Sequence, residues 1–151
     1  MSVKNDINCD TYDSKFLKCC PHFVNELNRY KFTVYIDTKL ILINEEYLIS
    51  LLKQKESTIQ VAMLPHPWWP SIDQAVIFEF QKSMEQERYV KEKERIMNYI
   101  NNKTEEGYDL TLPVHYETGF IVRKQHDKNV LRLNETWHNE ISKCGIQCQI
   151  S

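Results

Sequence analysis

The chain has 151 residues, 42% of them hydrophobic and 26% charged, enough to bury roughly 68–70% of the unfolded surface in one globular domain. That excludes a disordered tail or a fibre. Nineteen Lys and Arg against 21 Asp and Glu leave a formal charge of -2, so no global field draws the chain to nucleic acid or an anionic membrane.

Cysteines stand at positions 9, 19, 20, 144 and 148. An odd count with two adjacent thiols does not read as a disulfide framework and points to a reducing compartment. Cys144 and Cys148 are separated by Gly145 and followed by no His at ligand spacing, which favours free thiols over structural zinc. Residues 1–13 form a polar N-terminal segment without the apolar run of a signal peptide, and no stretch approaches the roughly 20 apolar residues of a membrane span. The expectation is a cytoplasmic protein with a single domain over 14–151.

Ser14 precedes apolar residues at helical spacing from Phe16 to Leu27, with Pro21 interrupting, so one broken helix is expected there. Phe32–Ile36, rich in β-branched and aromatic residues, reads as a strand ended by Asp37. Leu40–Ile43 is a second apolar run, and Asn44 then caps a short helix carrying Tyr47, Leu48, Leu51 and Leu52. Ile59–Met63 reads as another strand, followed by the stiff loop Pro65-His66-Pro67-Trp68-Trp69-Pro70. From Ile72 to Asn102 the chain is charged and free of Gly and Pro. Apolar residues at Val76, Phe80, Met84, Met97 and Ile100 predict one long helix, with Gly107 just beyond its end. Phe120–Val122 is a strand, Arg123–Asp127 a polar turn, and Val130, Leu133, Trp137 and Ile141 mark a final amphipathic helix. Strands alternating with helices predict an α/β domain with a mostly parallel sheet flanked by helices.

Open α/β sheets bind ligands beyond the carboxyl ends of their strands, which singles out Asp37, His66, and Arg123 with His126. An Asp closing an apolar strand can hold Mg²⁺ or Mn²⁺ against a diphosphate. It can equally turn back onto the backbone amide of Lys39 as an Asx turn.

Lys18-Cys19-Cys20-Pro21-His22, followed by Lys31 to Asp37, resembles the glycosyltransferase-like domain of plant seed-mucilage and pollen turgor proteins, found also in microbial and viral chains. His66-Pro67, Gly107-Tyr108, Glu117-Thr118-Gly119 before Ile121-Val122-Arg123, and Trp137 to Ile141 before Gln149-Ile150-Ser151 extend the resemblance over about residues 15 to 151. It implies a partial GT-A-like nucleotide-sugar transferase fold, with Asp37 at a Mn²⁺ or Mg²⁺ and diphosphate site. It also implies Glu117 as general base on a sugar hydroxyl and Arg123 on phosphate oxygens, with His66 beside the donor. Glu117 as an exposed loop carboxylate and Arg123 as a surface ion pair stand against this with equal weight.

The chain departs from the family pattern at Lys39 in place of Asn, at Trp69 in place of Arg, at Gln125, and at Cys148 in place of Asp. Two readings follow. In one, a small transferase acts on a nucleotide-sugar donor and a glycan or other hydroxyl acceptor, with Lys39 taking part of the cation's role. In the other, a degenerate relative binds glycan or protein without turnover, using Trp68, Trp69 and Tyr116 as stacking faces. Paired tryptophans serve core or interface packing as readily. A partner chain completing the sheet is a further expectation.

Overall fold

The computed structural model describes residues 7–55, 58–68, 75–111, 114–147 and 149–150, with side chains from Tyr12 onward. Helix α1 spans Ile7–Cys19, starting well before Ser14, inside residues 1–13 that read as a polar N-terminal segment. Pro21 breaks it as expected, because proline lacks an amide hydrogen and fixes φ. Two short 3-10 turns, Pro21–Phe23 and Asn25–Leu27, then lead into strand β1, Phe32–Ile36. The apolar run after β1 is not a strand: Ile41 and Ile43 are 87% and 95% exposed. Asn44 does cap helix α2, Glu45–Gln54, its side chain accepting from the Tyr47 amide at 2.8 Å.

Strand β2 runs Val61–Pro65, shifted toward the C-terminus from the expected 59–63. A proline is accommodated there because β2 is an edge strand. The single long helix expected over 72–102 is three helices within the described residues: α3 Ala75–Ser83, α4 Glu87–Val90 and α5 Lys93–Glu105. No Gly or Pro breaks them. Ser83 donates back to the Phe80 carbonyl at 2.8 Å, and Tyr89 in α4 and Glu92 just before α5 are drawn inside. Glu92 accepts the Ile146 amide at 2.7 Å, so tertiary burial sets the breaks. The buried stripe is accordingly Val76, Ile96 and Ile100, while Met97 faces outward.

Strand β3, Tyr116–Lys124, is longer than the apolar triplet that signalled it, and helix α6, Lys128–Cys144, follows. Asp127 caps α6 by accepting from the Asn129 and Val130 amides. Asn134 is buried on α6 whereas Leu133 is half exposed.

The sheet order is β1-β3-β2, and β3 is antiparallel to both neighbours. The expectation of a mostly parallel sheet is therefore corrected. β1 and β2 do run in the same direction, connected through α2, but β3 inserts between them, as in a split βαβ unit. The alternation of strand and helix read the shared direction and could not show the inserted strand. α1 packs on α6 through Cys19, Cys20 and Ile141 with Phe16 and Trp137. A second core joins Val76, Ile96, Ile100, Cys144 and Ile150. Cys19, Cys20 and Cys144 are buried, and burial pushes the Cys20 thiol up to about 11, which keeps it unreactive. Cys148 lies outside the described residues. Among the described residues no helix is long and apolar enough to cross a membrane.

Ile121, fully buried within the central strand, anchors this arrangement. Ile121→Ala is expected to lower the unfolding free energy by about 2–5 kcal/mol, read by urea denaturation; a loss below about 1 kcal/mol would show that β3 is not the packed centre.

Candidate functional site

The pairing of β2 with β3 jumps from Met63 opposite Ile121 to Leu64 opposite Glu117. The extra residues of β3 loop out, and the jump carries Glu117 to the end of β2, beside His66. Glu117 Oε1 then folds back to accept the Gly119 amide at 2.9 Å. Only a glycine permits this, since a Cβ at 119 would stand 2.8 Å from Glu117 Oε1 and 3.1 Å from the Leu40 side chain.

His66 is fixed from two sides. Its amide donates to the His115 carbonyl at 2.8 Å, and its ring Nδ1 accepts from the Trp68 amide at 3.3 Å. With Nδ1 accepting, the neutral ring carries its proton on Nε2. That nitrogen lies 3.9 Å from Glu79 Oε2 and 3.9 Å from Glu117 Oε2, too far for direct hydrogen bonds. Glu79, buried on α3, is held through Oε1 by the Gln147 amide group at 2.7 Å. Its other oxygen also stands 3.9 Å from His115 Nε2, and the two imidazole rings are 5.3 Å apart.

Burial pushes the His66 pKa down from its ordinary 6.5, against an upward pull from Glu117 and with a further downward push from Lys39. Burial, then His66 itself, does the same to His115. Both rings are thus neutral at pH 7.

The cluster opens into a cavity of about 540 Å³. Glu117 and His66 form part of its wall, Trp68 stands edge-on to His66 at 5.6 Å, and Lys39, Lys82 and Arg88 line it as cations. Lys39 Nζ is 3.9 Å from Glu117 Oε1. A neutral imidazole between two carboxylates, under a cationic wall, can shuttle a proton and hold an anionic group.

Comparisons with protein-family models, with curated proteins and with solved structures return no match. The chemistry is therefore read from the residues themselves.

Four of the residues singled out from sequence meet here: Lys39, His66, Trp68 and Glu117. Asp37 does not join them. Its amide donates to the Gly119 carbonyl at 2.7 Å, its Oδ1 takes the Lys39 amide at 3.4 Å, and the cavity wall includes Lys39 and Leu40 but not Asp37. This is the Asx-turn alternative. Among the described residues no group of three or more His, Cys, Asp or Glu side chains is placed to hold a metal ion.

Arg123 and Tyr116 line a different cavity, and Arg123 lies within β3 rather than in a turn, 2% exposed. His126 faces away from both cavities in effect, its Nε2 paired with the Asn28 carbonyl at 2.9 Å. Trp69 lies outside the described residues.

Sequence reasoning missed Glu79, Gln147, Lys82 and Arg88. Glu79 did carry a signal, an acid three and four residues beyond the apolar Val76 and Ala75 and so on the same helix face.

A histidine whose folded pKa lies below its unfolded value binds its proton more readily once unfolded. Stability is then complete above about pH 6.5 and falls as pH drops below it toward the folded pKa. Urea melts should show this loss between about pH 7 and 5, and His66→Gln with His115→Gln should flatten the slope; an unchanged slope in the double variant would place the titration elsewhere.

Proposed function

We propose that the cavity bounded by β2, α3 and Glu117 binds a nucleotide-sugar and transfers its sugar to a hydroxyl acceptor. The observation that carries this reading is the convergence of Glu117, His66, Lys39 and Trp68 on one cavity. Its volume of about 540 Å³ falls within the roughly 300–1,000 Å³ of small-ligand sites.

In the step proposed, Glu117 Oε2 takes the proton of the acceptor hydroxyl, whose oxygen forms a bond to the anomeric carbon. The bond from that carbon to the donor phosphate breaks, and its electron pair leaves with the nucleoside diphosphate. Lys39, with Lys82 and Arg88, faces the developing negative charge as point charges and a fork. Neutral His66, its Nε2–H between two carboxylates, donates a hydrogen bond into the cavity and positions the base. Trp68 offers an aromatic face to a pyranose ring. No step is assigned to Asp37 or to a divalent ion.

A second reading, glycan binding without turnover, is supported by the commitment of Asp37 to a backbone turn.

Calorimetric titration with UDP- and GDP-sugars, with and without Mn²⁺, paired with an assay of nucleotide release in the presence of sugar acceptors, separates the two. Transfer predicts that Glu117→Gln lowers release by about 10²-fold or more while donor affinity changes little. Donor binding with no release in either protein selects the second reading. Failure of every donor to bind, with or without Mn²⁺, overturns the transferase reading.

A further inference from the structure

Six buried side-chain nitrogen and oxygen atoms among the described residues have no hydrogen-bond partner. Three of them belong to residues lining one cavity of about 230 Å³: Arg123 Nη2, His115 Nε2 and Gln149 Nε2. This cavity lies over the β3 face that α6 covers, and it contains none of Lys39, His66, Trp68 or Glu117. Each buried donor without a partner is destabilising, and native structures keep few of them. Their coincidence on a single cavity calls for a common acceptor.

The charge points the same way. Arg123 is 2% exposed, and burial pushes its pKa down, yet among the described residues no carboxylate pairs with it. Its Nη1 donates at 2.8 Å to the Lys18 carbonyl, and its guanidinium lies 5.6 Å from the Trp137 ring. Lys18 Nζ is also buried, donating at 3.0 Å to Thr118 Oγ1, and Thr118 lines the cavity. A buried guanidinium left without an anion is strongly unfavourable. Three groups lining the cavity therefore ask for lone pairs, and Arg123 among them for negative charge.

The remaining wall is apolar: Val61 and Met63 from β2, Ile121 from β3, Leu133 and Trp137 from α6. At ~30 Å³ per water-sized unit, 230 Å³ holds about seven or eight of them.

We propose that this cavity is a binding site for a small carboxylate with a branched aliphatic or aromatic body. One carboxylate oxygen takes the open edge of Arg123, the other takes Gln149 or His115, and the apolar body lies against β2 and α6. A compact monoanion matches one cationic group facing a mostly hydrophobic enclosure. A phosphate dianion brings more charge and no apolar surface. The site goes beyond the sugar-transfer reading and does not depend on it.

The experiment titrates the full chain with 3-methylbutanoate and benzoate, with their neutral amides, and with inorganic phosphate, followed by amide chemical shifts. The expected result is saturable binding of at least one carboxylate with Kd near or below about 1 mM, and binding of the matching amide weaker by about tenfold or more. Arg123→Met should abolish the response. Since that variant may be lost in folding, Leu133→Trp, which narrows the cavity from its half-exposed rim, serves as the second; it too should abolish binding while the melting curve is retained. Lys39→Ala, in the other cavity, should leave carboxylate affinity unchanged. The proposal is overturned if no carboxylate saturates, if the amides bind as well as the acids, if phosphate binds as tightly as the carboxylates, or if Leu133→Trp folds and binds undiminished.

Discussion

The position of β3 between two strands that share a direction is the constraint from which the rest of this structure follows. Because β3 runs against both neighbours, Ile121, Val122 and Arg123 are paired with a strand on each side. The slip of β3 in register against β2 falls between Met63 and Leu64. Tyr116 and Thr118 before the slip and Ile121 and Arg123 beyond it line the enclosure under α6, while Glu117 reaches the cavity shared with His66. A regular ladder would hold both sets of side chains to one strict alternation.

Polar groups are placed inside this frame at a cost that the fold offsets locally. Glu79 is held by Gln147, Glu92 takes the Ile146 amide, and Lys18 reaches Thr118. Each links segments far apart in sequence, so these bonds fix where the helices sit as well as satisfying themselves. Gly145 belongs to the same device. It adopts a left-handed φ of 117°, and a side chain there would run into the Glu92 carboxylate. The end of α6 can therefore close onto that carboxylate only through glycine.

Local signals were legible where local physics decides. Phe32–Ile36 is a strand, Pro21 breaks a helix, and Asn44 caps one, because each depends on a few adjacent residues. The breaks after Ser83 and after Val90 were not legible, since nothing local announces them and the group that holds Glu92 inward, the Ile146 amide, lies beyond α6. Strand direction was half legible: alternation with helices gave the common sense of β1 and β2, and nothing local could announce β3 between them. At the site, His66, Trp68, Lys39 and Glu117 each carried a separate sequence signal, yet what joins them is a register slip without a sequence signature. Asp37 and Arg123 looked alike as strand-end polar residues. One turns onto its own backbone, and the other is enclosed within the strand, because Glu117-Thr118-Gly119 extends β3 well before its apolar triplet.

The long reach of these bonds also governs how the chain can be made. Lys18 meets a residue 100 positions later, and Cys20 one 114 positions later, so the first helix and first strand leave the ribosome with no native surface to rest on. During synthesis they wait through α2 to α5 until β3 and α6 emerge. Such non-local closure is slow, and it leaves open strand edges exposed in the meantime. A nascent chain of this design depends on its last third to complete its first, and truncation near the C-terminus removes the partners of both ends at once.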